Sequence, residues 1–139
     1  MRADFYLIAK PRFRDQPLLL VCKLVQKALA QEKPLLILAR DFAQAEEVDD
    51  LLWAFDEDAF IPHQLAGNDD DAEVPVLIVP PGVDAPERPL VINLRPEAVR
   101  VPAERVLEVV PADPSERDGS RQRWREYQQA GFEVGKFDM

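Results

Sequence analysis

Four short, largely apolar runs, the first of them unbroken, constrain this chain more than any other feature: PLLILA (34–39), VPVLIVP (74–80), PLVINL (89–94) and RVLEVV (105–110). A strand with one wet face alternates apolar and polar residues. A run without that alternation is a strand covered on both faces, the habit of parallel sheets. A fifth run, DFYLIAK (4–10), starts as an apolar strand and ends against Pro11. Between the runs the period changes. QPLLLVCKLVQKALAQ (16–31) places Leu18, Val21, Cys22, Val25 and Leu29 at helical spacing, and Asp41 can cap a second helix over roughly 42–55. Strands alternating with helices predict an α/β domain with a largely parallel sheet flanked by helices. With 139 residues there is enough chain for one core and too little for two, so 1–139 reads as a single domain.

Charge removes several function classes. The formal net charge is -9, and between Arg40 and Arg88 there is no Lys or Arg among Asp41, Glu46, Glu47, Asp49, Asp50, Asp56, Glu57, Asp58, Asp69, Asp70, Asp71, Glu73, Asp84 and Glu87. That segment presents a negative surface. Direct, strong nucleic-acid binding is disfavoured, because non-specific affinity for phosphates comes from basic charge. No apolar run approaches the roughly 20 residues of a membrane span, and MRADFYLIAKPRFRD is not a signal peptide, so a cytoplasmic protein is expected. The lone Cys22, inside LLLVCKLV, reads as a buried thiol. Asp69, Asp70 and Asp71 lack calcium-loop spacing, and no metal or cofactor is expected. His63, in IPHQLAG, has no serine, cysteine or second histidine at a catalytic spacing and reads as a structural turn residue. Neither GxxxxGK[ST] nor GxGxxG occurs, so the sheet has no phosphate-binding loop of a familiar kind.

The cations gather near the C-terminus. Asp113, Pro114 and Glu116 form a helix start and Gly131 a helix stop. At 100° per residue, Arg117, Arg121, Trp124, Arg125 and Gln128 share one stripe, while Arg123, Tyr127 and Ala130 point away from it. Two readings stand: a solvated face whose arginine stems cover apolar surface, or a pocket for an acidic peptide, with guanidinium forks for carboxylates and an indole wall. Earlier in the chain, Ala45, Val48, Leu51, Leu52 and Phe55 form an apolar helix face, and Trp53 projects outside it. Followed by Phe60, it is either a protein-contact anchor or a side chain covered by a neighbouring loop.

VDDLLWAFDEDAFIPHQLAG (48–67), DFYLI near the start and RQRWREYQQAGFEV (121–134) together resemble the chi subunit of bacterial DNA polymerase III, in order and spacing from residue 4 to about 134. The resemblance implies a nucleotide-binding-like α/β domain without catalytic function. It implies an adaptor that holds the acidic C-terminal tail of single-strand DNA-binding protein on Arg117, Arg121, Trp124, Arg125 and Gln128. It further implies that the psi subunit, which tethers chi to the clamp loader, docks on Trp53 and Phe60, and that an XPD-like helicase competes for that surface. Two departures are visible: the Trp124 position is typically tyrosine in the family, and the Arg117 and Arg125 positions are often lysine. The rival from another class is a nucleotide-binding or hydrolytic enzyme with a site at the strand ends.

Overall fold

The computed structural model describes residues 1–55 and 60–139; Asp56, Glu57 and Asp58 of the acidic segment lie outside the described residues. The four runs form β2 (Leu35–Leu38), β4 (Val76–Val79), β5 (Leu90–Asn93) and β6 (Arg105–Val110). Every residue of β2, β4 and β5 is buried, as runs covered on both faces require. With β1 (Arg2–Leu7), β3 (His63–Leu65) and β7 (Glu133–Asp138) they make one seven-stranded sheet in the order β3-β4-β2-β5-β6-β1-β7. All six strand pairs are parallel.

Alternation along the strands sends successive side chains to opposite faces. On one face Tyr6, Leu35, Ile37, Val76, Ile78, Leu90, Ile92 and Leu107 pack with Phe13 of α1 (Pro11–Asp15), α2 (Pro17–Ala30) and α3 (Phe42–Ala54). On the other, Phe5, Val106 and Val110 pack under Tyr127 of α4 (Arg117–Gln129), and loop residues Val83, Ala85, Val99 and Ala103 cover the remainder. α3 meets β3 and β4 at one edge of the sheet, and α4 meets β7 at the other.

Both edge strands lie outside the expected set, and His63 opens β3 rather than sitting in a turn. Edge strands have one wet side, so β3 is short and β7, EVGKFD, mixes polar and apolar residues and shows no apolar run. Two arginines fasten the middle of the sheet. Arg88, buried, donates to the Pro75 and Asp71 carbonyls at 2.7 and 2.8 Å, at the strand starts. Arg95 donates to the Ala39 and Val79 carbonyls at 2.9 Å, at the strand ends. Asp71 is not a metal ligand in waiting: it accepts from the Gly67 and Asn68 amides and from Gln64, closing the 67–71 loop. Cys22 is buried, and burial pushes its thiol up to about 11.

Candidate functional site

α4 is built by its ends. Asp113 Oδ1 accepts from the Ser115 amide at 3.0 Å, Pro114 opens a 3-10 turn, and the helix proper starts at Arg117. At the far end Phe132 N–H reaches the Tyr127 carbonyl and Gly131 N–H the Gln128 carbonyl, with Gly131 at φ 88. This pair of bonds is the Schellman stop, completed by the Tyr127–Phe132 ring contact at 5.3 Å. The helix is amphipathic in an unusual sense, because its buried side carries charge.

On that buried side Arg123 Nε donates to Glu108 Oε1 at 2.9 Å, Tyr127 OH donates to Glu108 Oε2 at 2.5 Å, and Asn93 Nδ2 donates to the same Oε2 at 2.7 Å. The Tyr127 oxygen accepts from the Val99 amide, and Arg123 also donates to Ser120 Oγ and the Pro96 carbonyl. Burial pushes the Glu108 carboxyl up, against Arg123 and the Asn93 and Tyr127 hydrogen bonds, which pull it down. Burial and Glu108 together push the Tyr127 hydroxyl up. This network fixes the rotation of α4 about its own axis.

Fixing that rotation turns the other stripe outward. Arg117, Arg121 and Trp124 line a groove of about 630 Å³ between α4, the ends of β1 and β6, and β7. Its floor is apolar: Phe5, Leu7, Ile8, Ala9, Val110, Pro111 and Ala112. Trp124 is half-buried, its ring tilted on Phe5 at 5.1 Å, so one indole face joins the core and the edge stays at the groove. Arg121 makes only a loose 3.7 Å pair with exposed Asp118, and among the described residues Arg117 and Arg125 make no ion pair. Arg125 and Gln128 continue the stripe and are exposed, but they do not line the groove. Lys136 and Asp138 of β7, in register with Phe5 and Leu7, also line it, and sequence reasoning missed both. The missing signal was β7 itself.

The second surface lies on α3. Trp53 is 58% exposed and Phe60 72%, with ring centroids 5.9 Å apart. Among the described residues no loop covers Trp53. Beneath it, at 4.8 Å, lies the ring of His63, whose Nδ1 is 2.6 Å from the Ile61 carbonyl and whose Nε2 is 3.1 Å from Asp49 Oδ1. A carbonyl only accepts, so Nδ1 donates. His63 therefore props the indole from below.

A second cavity occupies the place where α/β sheets usually bind ligands. From β2 the chain leaves toward one edge and from β5 toward the other, and the crevice between their C-terminal ends is such a switch point. It measures about 220 Å³, lined by Arg40, Gln44, Asn93, Arg95 and Arg123 among others. Those groups are already engaged with each other or with backbone: Gln44 Oε1 accepts from the Arg40 amide, Asn93 and Arg123 donate to Glu108, and Arg95 holds the strand ends.

No helix among the described residues is long and apolar enough to cross a membrane. The family model for "DNA polymerase III chi subunit, HolC" matches residues 1–135. The DNA polymerase III subunit chi of Pseudomonas aeruginosa is 41% identical over 138 residues, covering 94% of this chain and 92% of that protein. Its namesake in Escherichia coli is 31% identical over 118 residues, covering 83% and 80%. That of Haemophilus influenzae is 28% identical over 118 residues, covering 83% and 82%. A match of this extent makes the chain a member of the DNA polymerase III chi subunit family.

Proposed function

We propose that the chain is a non-catalytic adaptor of the DNA polymerase III holoenzyme during replication. It captures the acidic C-terminal tail of single-strand DNA-binding protein on α4 and is tied to the clamp loader by a psi subunit docked on Trp53 and Phe60, where an XPD-like helicase competes. The observation that carries the reading is the α4 groove. Its floor is apolar, its helix wall is an indole edge with Arg117 and Arg121, and those cations have no strong internal partner in a chain holding 26 acidic residues and 17 Lys and Arg. Oppositely charged chain ends bind such a surface through bidentate hydrogen bonds, with an apolar side chain on the floor.

The enzyme reading finds less support. It needs convergent, uncommitted polar groups at the strand ends, and the crevice there is smaller than the roughly 300 Å³ at which ligand pockets begin, with Asn93, Arg95 and Arg123 held by Glu108 or by backbone carbonyls. Direct capture of single-stranded DNA by the Arg/Trp helix has suitable side chains, but a net charge of -9 opposes it.

The deciding experiment is a titration with a labelled peptide ending in an acidic run, an apolar residue and a free carboxylate. Arg121→Ala should weaken binding by about 1–3 kcal/mol, the range for charge-assisted hydrogen bonds, and Arg125→Ala by less because Arg125 stands outside the groove. Wild-type affinity in the Arg121→Ala variant would remove the groove from the function. For the second surface, Trp53→Ala should abolish capture of the cognate psi subunit in a pull-down while leaving the peptide titration unchanged.

A further inference from the structure

The groove has two walls of different origin, and the far wall gives the bound chain a direction. We infer that Lys136 of β7 takes the terminal α-carboxylate of the captured peptide, while the guanidinium groups of α4 take side-chain carboxylates upstream of it. This rests on the reading of the groove as a peptide site.

The cations are distributed unevenly around the cavity. Arg117 and Arg121 reach it from α4, and Lys136 from β7, where it stands in register with the floor residue Phe5. The α4 stripe runs on past the groove through exposed Arg125 and Gln128, whereas on the β7 side the next lining residue is Asp138. An extended acidic chain therefore finds a row of guanidinium groups leading to the groove along one wall. Beyond the floor it meets a single ammonium group beside a carboxylate.

That asymmetry suits the end of a chain and not its middle. A terminal residue with its apolar side chain on the floor carries its α-carboxylate on the same Cα, so the charge falls at the rim. The helix wall is met by the upstream carboxylates, which leaves the β7 wall for the terminal one. Lysine suits that position as a compact point charge, while the planar forks of α4 suit side-chain carboxylates in a row. A chain continuing past this point would run into Asp138, which disfavours anionic segments that do not stop there.

Lys136 is exposed on an edge strand, so its replacement leaves the fold intact. The test crosses Lys136→Met with the peptide's end group, comparing free-acid and C-terminally amidated forms of the same acidic peptide on wild type, Lys136→Met and Arg121→Ala. On wild type, amidation should weaken binding, and Lys136→Met should weaken the free acid by about two- to fivefold, the range for a solvent-accessible ion pair. On Lys136→Met, amidation should cost correspondingly less. Asp138→Asn should tighten the free acid. Equal amidation penalties on wild type and Lys136→Met, or an unchanged affinity in Lys136→Met, would overturn the assignment while a weakened Arg121→Ala still upheld the groove. If Arg121→Ala bound like wild type, the peptide reading would fall and the assignment with it.

Discussion

At the scale of single residues, the arginines of this chain divide by what they touch. Arg123 is buried against Glu108, so replacing it with alanine leaves a desolvated carboxylate without its cation. The expected loss is about 3–5 kcal/mol, the range for breaking a buried pair, read as a lowered midpoint in urea denaturation. Arg121→Ala removes only a loose, exposed contact and should leave that midpoint within about 0.5 kcal/mol of wild type. A midpoint loss of similar size in both variants would show that the two sides of α4 are not divided in this way. Asp71 supplies a pH-dependent case. Burial raises its carboxyl, but the Gly67, Gln64 and Asn68 hydrogen bonds and the Arg88 charge outweigh burial and hold it below 3.8. A folded value below the unfolded one stabilises the native state above the unfolded value, and that stabilisation disappears as pH falls through the folded value. Asp71→Asn should therefore cost about 1–2 kcal/mol at pH 7, and the gap should close as pH drops below 3.8. A pH-independent gap in thermal or urea midpoints would mean that shape, and not ionisation, holds the 67–71 loop.

At the scale of elements, legibility followed burial. β2, β4 and β5 were readable because strands covered on both faces are largely apolar, β6 was readable despite its buried Glu108, and α4 was readable because Asp113, Pro114 and Gly131 carry its end signals. β3 and β7 were not, since an edge strand has no continuous run to display. Missing β7 also hid Lys136 and Asp138, the β7 side of the candidate groove, and left the floor residues Phe5, Leu7 and Ile8 without a stated role. Arg125 and Gln128 were grouped with the groove because a helical wheel gives rotation about the axis and not position along it. Trp53 was legible as an off-face residue, but its support by His63 depended on placing β3 beside α3. The stop at Gly131 can be tested on its own terms. With φ at 88, a side chain there is strained, although no atom lies close enough to clash with an added Cβ. Gly131→Ala should cost about 1 kcal/mol through the backbone alone, with Gly131→Asn costing less because asparagine tolerates that region better. Equal costs for the two would point to a packing defect and not a dihedral one.

At the scale of the whole molecule, the two candidate surfaces sit on opposite faces and at opposite edges of the sheet. α3 lies over β3 and β4 on one face, and α4 over the β1 and β7 side on the other. Six inter-strand steps of about 4.8 Å separate the outer strands, roughly 29 Å, well beyond the Debye length of about 10 Å at 0.1 M salt. The carboxylates of α3 are therefore screened from the groove, and an acidic peptide senses mainly Arg117, Arg121 and Lys136 on arrival. Energetic coupling between distant sites requires an element with two arrangements that both ligands bias. Between these sites stands a parallel sheet whose central strands are buried on both faces and tied at their ends by Arg88 and Arg95. On the proposed reading, an adaptor built this way holds two partners without making either wait for the other. Peptide affinity should stay within about twofold, under 0.5 kcal/mol, when Trp53 and Phe60 are occupied by the cognate psi subunit. Raising salt from 0.05 to 0.5 M should weaken the peptide equally with psi bound or absent, because the screened charges are the same ones. A peptide affinity that shifts several-fold when psi binds would mean that the sheet transmits a change its tied strands ought to block, and that the two surfaces act as one regulated site.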